Sequence, residues 1–259
     1  LTYPHHRGLR RLHADALCQY AIGFLFDDWD DAALLGRADE AARLATRLHP
    51  LLAACADANL GLLSPAWREA RARGGDAWDA QLRAATAADV PPLLWIASSD
   101  AVELALEPLR HLGDVGTLTA TLARCVALRP GFHDADGELL LGTLEAGRSR
   151  FLGGPDGEAW FARARAAAGD GALLVDVLHA RATLVARGDR AVVQAALERV
   201  VAAELSRWPE RRLANELAVR KARRYLAALD RLVGAAPRGP SAGDGPYGTE
   251  PRELRARQP

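Results

Sequence analysis

The sequence predicts an all-α chain whose helical hairpins stack into a compact α-solenoid. Apolar residues recur at helical spacing from residue 9 to 234, and no period-2 run is long enough for a strand. Three helix ends also look alike: ArgCysValAlaLeuArgProGlyPheHis (124–133), ArgAlaAlaAlaGlyAspGlyAlaLeuLeu (165–174) and AlaGluLeuSerArgTrpProGluArgArg (203–212). Their turns recur about every 40 residues, and helix–turn–helix units at such a period mark a solenoid. Folds of this kind hold something in a groove more often than they perform chemistry.

The first helix is expected over about 9–26, with Leu9, Leu12, Ala16, Tyr20 and Phe24 near one face and Leu17, Ala21 and Leu25 beside them. An apolar arc that wide predicts burial on more than one side. The acidic run AspAspTrpAspAsp (27–31) is expected to end it and lead into a second helix, about 34–58. Ser64-Pro65 marks another start, with Ser at the N-cap and Pro at the first helical position. A short helix from Trp67 to Arg73 stops at Gly74-Gly75, and Asp76 caps one that runs to about Ala85. Asp89-Val90-Pro91-Pro92 opens the most apolar helix, about 91–112, and Asp114 can cap its successor. Pro130, Gly153-Gly154, Gly169-Asp170-Gly171, Gly188-Asp189 and Pro209 punctuate the rest, and the last helix covers about 209–234. Residues 9–234 therefore read as one helical domain, after a flexible remnant at 1–8. Nine Gly and Pro in residues 235–259, with few large apolar side chains, predict a disordered tail.

The chain has 259 residues with 33 basic and 33 acidic side chains, so it lacks the positive excess of a general nucleic-acid binder. No run of 18 apolar residues exists to span a membrane. A start at Leu1 and the absence of Met predict a trimmed N-terminus, which would hide any signal peptide or lipid-attachment Cys. Cys18, Cys55 and Cys125 have no metal-like spacing and read as small buried hydrophobes, with one disulfide open if the compartment is oxidising. Lys221 is the only lysine, and Asn59 and Asn215 are the only asparagines, which hints at specific tasks for them.

Six residues stand out as ligand- or partner-binding candidates: Trp95, Asp100, Phe132, His133, Asn215 and Arg220. Ser98, Ser99 and Asp100 interrupt an apolar helix. The serines can bond back to the preceding turn, whereas Asp100 needs a partner or a wet cavity. An elongated cavity is expected between this helix and the hairpins after Pro130, walled by Trp95, with Asp100 and Phe132 or His133 at its polar end. His133 and Asp136 could ligate a metal, but two ligands without a third read as a surface turn. Asn215 is a poor mid-helix residue. Arg220 belongs to a basic face with Arg223, Arg224 and Arg231, and Glu216 stands four residues before it in the favourable order for an ion pair. That face reads either as a solvated surface or as a carboxylate- or partner-binding one. No Ser-His-Asp or Cys-His set, phosphate loop or supported pair of carboxylates suggests an enzyme or a cofactor.

The same stretches, taken in order, resemble the T component of TRAP (tripartite ATP-independent periplasmic) transporters, the TatT family, from about Leu9 to Val233. The resemblance rests on TyrAlaIleGlyPheLeuPheAspAsp (20–28), AspValProProLeuLeuTrpIleAla (89–97), GluLeuLeuLeuGlyThrLeuGluAla (138–146) and ArgLeuAlaAsnGluLeuAlaValArgLysAla (212–222). It implies tetratricopeptide-like hairpins and a lipid-anchored periplasmic homotrimer, with the anchoring N-terminal Cys absent here. It also implies association with the solute-binding P subunit and a cleft or pore for a small organic-acid or hydrophobic ligand. The sequence departs from the family where a second aromatic after Trp95 tends to stand, near Ser99 and Asp100, which makes the groove more polar. The loop at 153–155 is also short. The alternative is a free-standing helical-repeat scaffold that binds a peptide or protein.

Overall fold

The structure, a computed structural model, describes residues 6–234. The flexibility expected of residues 1–5 and the disorder expected of 235–259 lie outside the described residues. Every described element is helical.

Helix α1 (Arg7–Cys18) starts two residues before the expected position, where His6 Nδ1 accepts the Leu9 N–H at 3.2 Å. The acidic run does not end it. A π-type stretch, Gln19–Leu25, carries the chain into α2 (Phe26–Leu34), so Asp27, Asp28, Asp30 and Asp31 all lie within a helix. The break comes at Gly36, whose φ of 71° suits glycine, before α3 (Ala38–Leu60).

The expected burial of α1 on several sides is also corrected. Ala14, Cys18, Ala21 and Leu25 form its buried stripe, and these mostly small residues let it sit close against α3. Leu9, Leu12, Tyr20 and Phe24 lie farther round the helix and stay exposed, Leu12 at 64%. Cys18 and Cys55 are fully buried but are not two separate hydrophobes. They are joined by a disulfide with Cα atoms 5.1 Å apart, which pins α1 to α3. Cys125 is a buried free thiol, and burial pushes its pKa up to about 12.

Helices α4 (Pro65–Arg73) and α5 (Gly75–Ala84) form a short pair, with Pro65 at the first helical position. The apolar helix α6 (Val90–Leu106) is shorter than expected, because Pro108 disfavours a helical Glu107 and starts a separate turn, α7 (Pro108–His111). Ser98 Oγ bonds Leu94 O at 2.8 Å and Ser99 Oγ bonds Trp95 O at 3.0 Å, which is the back-bonding expected of them. Helix α8 (Val115–Leu128) then leads through the Pro130 turn into α9 (Phe132–Leu152) and α10 (Glu158–Ala168). Gly157 is required there, since a Cβ would come within 2.2 Å of Gly142 O. Helices α11 (Leu173–His179), α12 (Val185–Arg187), α13 (Arg190–Val201), α14 (Arg212–Ala227) and α15 (Leu229–Gly234) complete the chain.

Contacts largely follow chain order: α6 packs on α3 and α8, α8 on α9, α9 on α10, and α11 on α13 and α14. Each helical pair buries its own apolar stripe against the next, so local helical order and core packing agree. The two ends of this array are then tied together by charge. Lys221 and Arg224 of α14 hold Asp27 and Asp30 of α2.

Candidate functional site

A cavity of about 760 Å³ opens where α6 meets α3, α4, α5 and α8. Its floor is apolar, with Leu52, Leu104 and Leu118, and Trp78 closes one side. Trp78 is fixed because its Nε1 donates to Thr121 Oγ1 at 2.9 Å and its ring meets Trp67 edge-on at 5.2 Å. The polar wall consists of three ion-pair-like contacts. Arg71 grips Asp100 with both Nη atoms, at 2.7 and 2.6 Å. His49 Nδ1 meets Glu103 Oε2 at 2.7 Å, and His111 Nδ1 meets Asp114 Oδ2 at 3.1 Å. The Arg71–Asp100 hydrogen bond outweighs burial and holds the guanidinium pKa above its ordinary value, so Arg71 stays charged. Asp100, for which the sequence asked a partner or a wet cavity, has an arginine partner and lines the cavity.

Trp95 and Asp100 do not share this wall, and the expected cavity composition is corrected. Five residues apart, they stand about 140° around a helix. Trp95 Nε1 donates to Asp15 of α1 at 2.9 Å, and its ring meets His133 edge-on at 5.7 Å. Phe132 stacks obliquely on His133 at 6.1 Å, beneath the Arg129 guanidinium. The cavity also lies on the α3–α5 side of α6, rather than toward the hairpins after Pro130.

His133 sits on an unusual turn. His133, Asp134 and Ala135 have φ of 53°, 57° and 67°, three successive non-glycine residues in the left-handed region. Each costs about 1–2 kcal/mol there. Several contacts hold the turn in place: Gly131 N–H donates to Glu138 at 2.9 Å, Asp134 pairs with Arg211 at 2.8 Å, and Ala135 is fully buried. Strain held this firmly concentrates at functional positions. His133 Nδ1 meets Asp136 at 2.5 Å, and that hydrogen bond, against partial desolvation, holds the imidazole pKa above 6.5.

Asn215 and Arg220 lie apart from both groups. Asn215 is buried and its Oδ1 accepts the Leu173 N–H, at the start of α11, at 3.3 Å. Arg220 pairs with Asp28 at 2.6 Å, while Glu216, its expected partner, pairs with Arg212 at 2.9 Å. The sequence reading missed His49, Arg71, Glu103 and His111. Glu103 carried a local signal, since it stands one turn beyond Asp100 on the same face. Arg71 and His49 reach the site only because α3 and α4 fold against α6.

Residues 1–232 match the family described as TRAP transporter T-component. The chain belongs to that family. No curated protein matches it. The family is an accessory component of TRAP transport and is associated with the periplasm. No helix among the described residues is long and apolar enough to cross a membrane.

Proposed function

We propose that this T-component is a non-catalytic binding protein that associates with the solute-binding P subunit and takes a small ligand in the cavity beside Asp100. The cavity carries the reading: its volume of about 760 Å³ and its apolar floor with a few convergent charged groups fit a small-molecule site. Asp100 would orient the ligand through Arg71. Trp95, Phe132 and His133 would serve the partner contact, because the strained turn presents His133 at the surface and the rings of Trp95 and Phe132 lie against it. Asn215 and Arg220 would act indirectly, by setting the helices behind the partner contact rather than the cavity. The Cys18–Cys55 disulfide suits an oxidising, periplasmic compartment. Homotrimerisation and an N-terminal lipid anchor follow the family resemblance.

Co-purification with the P subunit of the same system tests the association, with light scattering for the trimer. A stable complex that is weakened by Trp95→Ala and His133→Ala is expected. A folded protein that captures no P subunit but retains an unrelated peptide would favour the free-standing scaffold.

A further inference from the structure

The cavity wall has unused hydrogen-bonding capacity of both signs, donors on Arg71 of α4 and an acceptor on Glu103 of α6. Arg71 presents five N–H donors and Asp100 engages two of its nitrogens, so donors remain on the guanidinium. Glu103 accepts from His49 through Oε2 alone, and its Oε1 has no hydrogen-bond partner among the described residues. Glu103 stands three residues after Asp100 on the same face of α6, which sets their Cβ atoms about 5–6 Å apart.

The overall charge of the lining is mixed as well. Asp100, Glu103 and Asp114 line the cavity together with Arg71, Arg110, His49 and His111. A simple anion entering this space would meet carboxylates on the α6 wall and at Asp114. A simple cation would meet Arg71. A purely apolar ligand would strand both unused groups away from water, which carries the full desolvation penalty. A molecule bearing both charges meets neither objection.

We infer that the cavity binds a zwitterion whose opposite charges stand about one helical turn apart, such as a dipeptide, with its carboxylate on Arg71 and its ammonium on Glu103. This rests on the proposal that the cavity is a ligand site. An extended dipeptide separates its terminal charges by about 6 Å, close to the rise of about 5.4 Å in one helical turn. An α-amino acid, with both charges on one carbon, does not reach both. Side chains of the dipeptide would lie on Leu52, Leu104 and Leu118. Gly74 and Gly75 leave the rim open, because a Cβ at either position would meet no atom within 4 Å.

Calorimetric titration of the full chain with glycyl-L-leucine tests this, alongside its N-acetyl and C-amide derivatives, L-leucine, succinate and decanoate. Glycyl-L-leucine should bind tightest, and blocking either terminus should weaken it by about tenfold or more. Glu103→Gln should weaken glycyl-L-leucine while leaving the N-acetyl derivative unchanged, which isolates the ammonium contact. Ala53→Trp, an exposed position on the cavity lining, should abolish binding while the melting temperature stays near that of the parent. If succinate or decanoate binds tightest and Ala53→Trp removes it, the cavity is a ligand site but the zwitterion assignment is overturned. If no probe binds, or binding survives Ala53→Trp, the cavity reading itself fails and takes the zwitterion with it.

Discussion

Lys221 Nζ lies 2.8 Å from Asp27 Oδ1, and this contact joins the penultimate helix to the second across nearly the whole chain. Burial opposes the lysine charge, but Tyr225, Asp30 and Asp27 outweigh it and hold its pKa above the ordinary lysine value. Asp27 shows the reverse: burial opposes its ionisation, while hydrogen bonds from Arg224 and Lys221 hold its pKa below 3.8. Tyr225 completes the cluster by donating to Asp30 at 2.7 Å. The basic stretch of α14 is therefore largely neutralised by the acidic run of α2, not left open as a binding face.

Asp27→Asn should destabilise the fold by about 3–5 kcal/mol, because Lys221 and Arg224 lose their central counterion while buried. Arg220→Ala, at a half-exposed pair with Asp28, should cost at most about 1 kcal/mol. Chemical denaturation of the two variants checks the contrast. A pH series adds a sign test. The lowered Asp27 pKa contributes stability that is present above 3.8 and lost as pH falls through the folded value, so Asp27→Asn should flatten the acid limb.

Reducing the Cys18–Cys55 bond should cost about 4 kcal/mol on the chain-entropy account, for a sequence separation of 37. The double variant Cys18→Ser, Cys55→Ser should reproduce the loss. Iodoacetamide should leave Cys125 unmodified in the native protein, since burial suppresses its thiolate, and should alkylate it in urea.

Asn215→Ala should destabilise by about 1–3 kcal/mol, because the Leu173 N–H is left buried without an acceptor. Thermal melts check the size. Ligand titration of the folded variant should be unchanged, since Asn215 lies outside the cavity lining.

His133 should titrate above 6.5 by NMR, and Asp136→Asn should return it toward that value. A raised imidazole pKa contributes stability that is present below 6.5 and lost as pH rises through the folded value. Hydrogen-exchange protection around residues 131–138, taken relative to the intrinsic rate at each pH, should therefore fall from acid to alkaline pH in the parent, and change less in Asp136→Asn.

Much of this protein could be read from neighbouring residues alone. Pro65, Gly74, Pro130, Gly153, Gly169 and Gly188 delimit helices in the structure because their backbone limits act within one turn. Ser98 and Ser99 bond back as expected for the same reason. The family resemblance was likewise carried by short segments in order, and the family match confirms it. Asp100 was legible as an oddity, a charge in an apolar helix, although its partner was not.

Tertiary structure decided the rest. Helical periodicity sorts residues around an axis but does not say which stripe meets a neighbour. Leu9, Leu12, Tyr20 and Phe24 accordingly stayed exposed, while the smaller Ala14, Cys18 and Ala21 were buried against α3. The pairing of Cys18 with Cys55, the hold of Arg71 on Asp100 and the closure of Asp27 on Lys221 each join helices far apart in the chain. Local rules reach about four residues along a helix. Contacts of longer range form only when packing brings their helices together, and burial then gives those charges much of their energetic weight.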